Sequence, residues 1–148
     1  MAATSTYMTF LMHGTGTSTI TYEKLVDIKE FPDLGGAPEM LDTTTLSHNA
    51  RTYVPGIQEN EAMTFTTNYD QTSFAALKAL ENTNAKYAVW FGGTEVAGSL
   101  PTPTGSLGKF AFEGYLSVFV SGGGVNEVRN MTITIAPTTA IDFTAGTT

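Results

Sequence analysis

The chain has 148 residues and a mass of 15.7 kDa, one domain's worth. Charged residues are only 14% of it, the net charge is −7 and the pI is near 4.6, which argues against a basic face able to grip nucleic acid. The absence of cysteine excludes disulfides, thiol nucleophiles and cysteine metal sites, and no apolar run approaches the roughly 18 residues that a spanning helix needs.

The polar share is filled by 26 threonines and 15 glycines. Threonine is β-branched and suits a pleated surface wetted on one side, so the composition points to a β-rich fold. Residues 1–18 are poor in charge and end in Gly14-Thr15-Gly16-Thr17-Ser18, which reads as an N-terminal arm with a flexible joint. Its apolar run, Tyr7-Met8-Thr9-Phe10-Leu11-Met12, follows no Lys or Arg and precedes no A-x-A site. It is read as part of the fold or as a docking arm, not as a secretion signal.

From Thr19 to Phe31 apolar and polar residues alternate, with Ile20, Tyr22, Val26 and Ile28 on one parity: a long strand or a strand pair. Pro32-Asp33-Leu34-Gly35-Gly36 stops it. Glu39 to Thr45 reads as a strand, and residues 46–61 as an irregular loop turned at Pro55-Gly56. Ala62 to Tyr69 alternates cleanly, with Met63, Phe65 and Tyr69 opposite Thr64, Thr66 and Asn68. Asp70 to Ser73 supply capping residues for a helix, SFAALKALE, with Phe74, Leu77 and Leu80 on one side.

Lys86 to Phe91 is a strand, and the Gly, Pro, Thr and Ser-rich residues 92–108 read as a loop. Lys109 to Ser121 is the longest strand expected: Phe110, Phe112, Leu116, Val118 and Val120 face one way, and Glu113, Tyr115, Ser117 and Phe119 the other. After Gly122-Gly123-Gly124 the chain returns over Asn126–Ala136, with Met131, Ile133 and Ile135 inward. Residues 138–148 read as a short C-terminal arm or strand. The expected class is α+β, mainly β: a two-sheet sandwich or barrel with one flanking helix, in a single domain spanning 1–148.

Chemistry is hard to find. His13 and His48 lie near no carboxylate at ligand spacing, and no G-x-S-x-G elbow supports a catalytic triad. Glu59-Asn60-Glu61 lacks a calcium-loop pattern, and none of the glycine stretches matches a phosphate loop. The sequon Asn130-Met131-Thr132 falls inside an expected strand. The sequence thus suggests neither an enzyme nor a bound cofactor or metal. An aromatic content of 11%, Trp90 included, exceeds what a small sheet and one helix require, so part of it is expected between subunits.

From about Ser5 to Phe143 the chain resembles the major tail tube proteins of long, non-contractile-tailed bacteriophages. The pattern is carried by FLMHGTG, by FPDLGGAPEMLDTTTLS followed by YVPGI, and by KFAFEGYLSVFVSGGGVNEV and MTITIAPTTAIDF. One departure is His48, where the resemblance leads one to expect an aspartate.

The resemblance implies a virion structural protein whose hexameric rings stack into a hollow tube that conducts phage DNA into the host cell. It implies a tape measure protein inside during assembly, distal tail and tail terminator proteins at the ends, and DNA in transit without specific binding. It also implies assembly in the host cytoplasm and no membrane insertion. Inter-subunit contacts are expected at Phe10, Leu11, Arg51, Tyr53, Val54 and Ile57, with the arm 1–18 and the loop 46–61 ordering on stacking. Thr64, Thr66, Asn68, Glu113 and Ser117 are expected to face the lumen. Two alternatives stand beside this reading. One is a tube subunit of a type VI secretion system or tailocin; the other is a secreted carbohydrate-binding β-sandwich using Trp90 and Tyr87 as a stacking platform.

Overall fold

A computed structural model of the protein describes residues 7–57 and 61–146. The start of the expected arm (residues 1–6), the loop residues 58–60 and the last two residues lie outside the described ones. In chain order the elements are β1 (Thr9–Thr15), β2 (Thr21–Val26), β3 (Ile28–Glu30), β4 (Met40–Asp42), β5 (Tyr53–Pro55) and β6 (Met63–Asn68). They continue with α1 (Gln71–Ala79), β7 (Asn84–Thr94), β8 (Thr102–Val120), β9 (Asn130–Pro137) and β10 (Asp142–Thr144). The fold is α+β and mainly β.

One large sheet has the order β2-β1-β7-β8-β9-β6-β3, with β10 also paired to β8. Its two ends are one stretch of chain: β2 pairs with β1, β3 pairs with β6, and Asp27 alone separates them. The strand over Thr19–Phe31 therefore changes partner midway and rolls the sheet towards a barrel, the usual way to turn a corner without exposing an edge. At the corner the buried Thr67 donates its hydroxyl proton to the Asp27 carbonyl, satisfying an oxygen that leaves the ladder.

The inside of the roll is the core. Leu11, Phe65, Tyr87, Val89, Leu116, Ile133 and Ile135 are buried there, and Leu77 of α1 closes one end. The helix starts at Asp70, whose carboxylate accepts hydrogen bonds from the Ser73 N–H and hydroxyl at 3.0 and 3.1 Å. A smaller apolar cluster, Phe10, Met12 and Ala88 with Tyr22 and Trp90 against it, lies on the other face of β1 and β7.

Two expectations are corrected. The stretch Thr9–Thr15 is not an arm: β1 pairs with both β2 and β7, and Leu11 is 0% exposed. Residues 92–108 are not simply a loop. β7 runs on to Thr94 and β8 begins at Thr102, pairing Thr94 with Thr102 and Gly93 with Pro103. The irregularity sits at Gly92, whose φ of 97° lets the register shift there. Of the short strand or arm expected over 138–148, the strand is present: Asp142–Thr144 continue along β8 past the end of β9.

Candidate functional site

Two surfaces stand out. The first is the hairpin of β4 and β5, a two-stranded sheet separate from the large one. Its polar groups are held within itself. Arg51 pairs with Asp42 at 2.8 Å, the Thr43 N–H donates to the Thr52 carbonyl at 2.9 Å, and the Gly56 N–H donates to the Glu39 carbonyl at 2.6 Å. The Thr44 hydroxyl and N–H, with Arg51 behind them, hold the Asp42 carboxyl below its ordinary range.

The hairpin's apolar groups have no such shelter. Tyr53, Val54 and Ile57 are exposed, as are Met40, Leu41 and Leu46, which sequence reading did not single out. Leu41 lies opposite Val54 and Asp42 opposite Tyr53, so by strand alternation Leu41 and Val54 occupy one face and Met40 and Tyr53 the other. A two-stranded hairpin is marginal alone in water, and large apolar groups exposed on both faces mark a surface meant to be covered. Of the expected interface residues, Arg51, Tyr53, Val54 and Ile57 fall here. Phe10 and Leu11 do not: both are buried inside the subunit, because β1 is covered on both faces.

The second surface is the outward face of β6, β9 and the second half of β8. Thr64, Thr66, Asn68, Glu113 and Ser117 all project from this side, opposite the core residues of their strands. Cross-strand register aligns Ser117, Thr134 and Thr64 in one row and Phe119, Thr132 and Thr66 in the next. Thr132 and Thr134 were not singled out from the sequence, although their alternation with Met131, Ile133 and Ile135 carries the signal. The face is not free of cations. Lys29 donates to Asn130 Oδ1 at 3.3 Å, beside Asn68, and Lys86 forms an ion pair with Glu113. The hydrogen bond and charge of Glu113 raise the pKa of Lys86 above the ordinary lysine value.

Among the described residues no three His, Cys, Asp or Glu side chains cluster to hold a metal. The cleft of about 370 Å³ at the hairpin's root contains Asp33 and Glu61 but no histidine, lysine or hydroxyl side chain. The carbohydrate platform fails directly: Tyr87 is 0% exposed, and the Lys109 ammonium sits 4.2 Å from the centre of the Trp90 ring. No described helix is long and apolar enough to cross a membrane.

Comparison with known proteins bears on the family and the fold. The family described as phage tail tube, lambda-like, matches residues 2–146. No curated protein matches the chain. Among solved structures, the anti-feeding prophage tube-terminating cap superposes with a TM-score of 0.66 at 11% identity, over 99% of this chain and 93% of that one. The sheath/tube terminator of an extracellular contractile injection system gives 0.65 at 11% identity, over 98% and 99%. A chain of the sheath–tube complex of such a system gives 0.64 at 11%, over 95% and 90%. At that identity the structural likeness establishes the fold alone.

Proposed function

The chain belongs to the lambda-like phage tail tube family, and from that premise we propose that six copies form a ring and that rings stack into the tube through which phage DNA leaves the virion. As a member of that family it is a structural protein of the tail and not an enzyme. The observation that carries the stacking is the β4–β5 hairpin, which stands apart from the large sheet and exposes apolar side chains on both faces. Burying such groups supplies about 25 cal/mol per Å² removed from water, so several hairpins per ring make a strong contact without ion pairs.

The threonine rows of β6 and β9 suit the channel wall. Their hydroxyls are wetted, carry no charge to hold phosphate, and are not an apolar adhesive. The net charge of −7 keeps the tube as a whole repulsive to a polyanion. A tape measure protein inside, with distal tail and terminator proteins at the two ends, would complete the assembly. A tube subunit of a type VI secretion system or tailocin remains the rival. The family match favours the phage tail.

Electron microscopy of the purified protein tests the reading. Wild type is expected to form stacked hexameric rings, and the double variant Tyr53→Asp, Ile57→Asp to remain folded and unassembled. Tubes formed equally well by that variant would remove the hairpin from the contact. A wild type that stays monomeric at high concentration would remove the tube.

A further inference from the structure

The tip of the β4–β5 hairpin is closed by a histidine acting as a hydrogen-bond acceptor. The His48 N–H donates to the Thr45 carbonyl at 3.0 Å, and the Thr45 N–H donates back to His48 Nδ1, also at 3.0 Å. The Thr45 hydroxyl lies 3.4 Å from the same nitrogen. This reciprocal pair closes the turn that presents Leu46, a fully exposed leucine at the tip. An aspartate or asparagine oxygen would occupy the same place along the side chain as Nδ1. Either could accept the bond without titrating near neutrality. An imidazole accepts only while neutral, with its proton on Nε2.

We propose that His48 is a pH latch on the assembly hairpin: neutral, it holds the tip in its stacking shape; protonated, it releases the Thr45 N–H and weakens the contact between copies. Protonation turns Nδ1 into a donor pointing at another donor, so the bond becomes a repulsion. The shallow depression beside the ring is lined by hairpin residues alone, and its ionisable groups besides His48 are Asp42 and Arg51. Asp42 is already committed to Arg51 and to the Thr44 N–H. The latch would keep subunits from stacking in an acidic medium and allow it near neutrality. Its effect on stacking rests on the hairpin role proposed above; its effect on the tip does not.

The two are read separately. Nitrogen-15 NMR of the free subunit is expected to show His48 as the Nε2–H tautomer at pH 7.5. The protection of the Thr45 amide, corrected for intrinsic exchange, should fall about fivefold at pH 5. His48→Asn should keep that protection at both pH values. In electron microscopy and light scattering, wild-type assembly should drop by about fivefold or more at pH 5 relative to the Asn variant. His13 titrates alike in both proteins and cancels in the comparison. Thr45 protection that does not change with pH, or that changes equally in the variant, overturns the latch. A responsive Thr45 amide with identical assembly of both proteins at pH 5 also overturns it, as a control of stacking. If neither protein assembles at any pH, the hairpin's stacking role fails, and the latch falls with it as a device for assembly.

Discussion

Tyr87 is packed between the rings of His13 and Phe112, with centroids at 5.5 and 6.3 Å, and its hydroxyl is buried without a hydrogen-bond partner. Burial pushes its pKa up to about 12. An unpaired buried hydroxyl costs about 1–3 kcal/mol, so Tyr87→Phe is expected to leave stability unchanged or raise it by about 1 kcal/mol in chemical denaturation. The pH dependence has a definite sign. The folded state holds the phenol proton above the unfolded value of 10.0, so the unfolded chain releases it first. Stability contributed by this group is complete below pH 10 and declines as pH rises towards 12, by about 1.4 kcal/mol per pH unit. Tyr87→Phe should flatten that part of the curve; an identical alkaline slope in the variant would contradict the buried assignment. His13 behaves in the opposite sense. Desolvation lowers its pKa against the opposing pull of Glu23, so acidification through the ordinary imidazole range removes stability.

At the scale of elements, legibility follows from how many faces of a strand are wet. β6 and β9 each have one buried and one polar face, so their alternation gave the right inward and outward sets from sequence. β1 is covered on both sides, which turns its signal into a short continuous apolar run. Next to a glycine-rich joint, such a run looks like a free anchor. Leu11→Ala is accordingly expected to cost about 2–5 kcal/mol of subunit stability, a loss that a docking arm would not produce. The 92–108 segment was hidden for another reason. Its glycines and prolines look like loop chemistry, while its pairing depends on the facing strand, which periodicity cannot report.

The hairpin's first strand was legible, since β4 lies inside the strand read over Glu39–Thr45, but β5 was not: a three-residue strand within a turn-rich loop shows no period. Within one subunit the hairpin's shape is defined by its own ion pair and backbone bonds. Its two apolar faces make a sharper prediction. Val54→Asp should block one contact and Met40→Asp another, and each alone should abolish tubes while leaving the subunit's melting temperature within about a degree of wild type. Normal tubes from either variant, seen by electron microscopy, would leave only one face in contact with neighbouring copies.

Across the whole molecule, four of the seven basic residues are already in ion pairs within the subunit, namely Lys24, Arg51, Lys78 and Lys86. Few remain for bridges between copies, and exposed bridges contribute about 0–1 kcal/mol each. Preformed tubes should therefore persist in 1 M salt, and their dissociation by salt alone would point to an ionic interface. The same distribution bears on the channel. On the face formed by β6, β9 and β8, Lys86 is neutralised by Glu113 and Lys29 engages Asn130, while Thr64, Thr66, Thr132 and Thr134 carry no charge. If that face lines the lumen, DNA passes the hydroxyls of Thr64, Thr66, Thr132 and Thr134 and the exposed ring of Phe119, with Lys29, held to the neutral amide of Asn130, standing beside them. Thr64→Lys together with Thr66→Lys changes this at two positions per subunit. The side chains are exposed or half-buried, so the subunit should fold and the tail should form. Each ring would then add phosphate contacts whose strength falls steeply with salt. Ejection from virions carrying the double variant is expected to slow or stall at low ionic strength and to recover as salt rises. Normal ejection at low salt from well-formed tails would place these rows on the outside of the tube, where the same lysines meet only solvent.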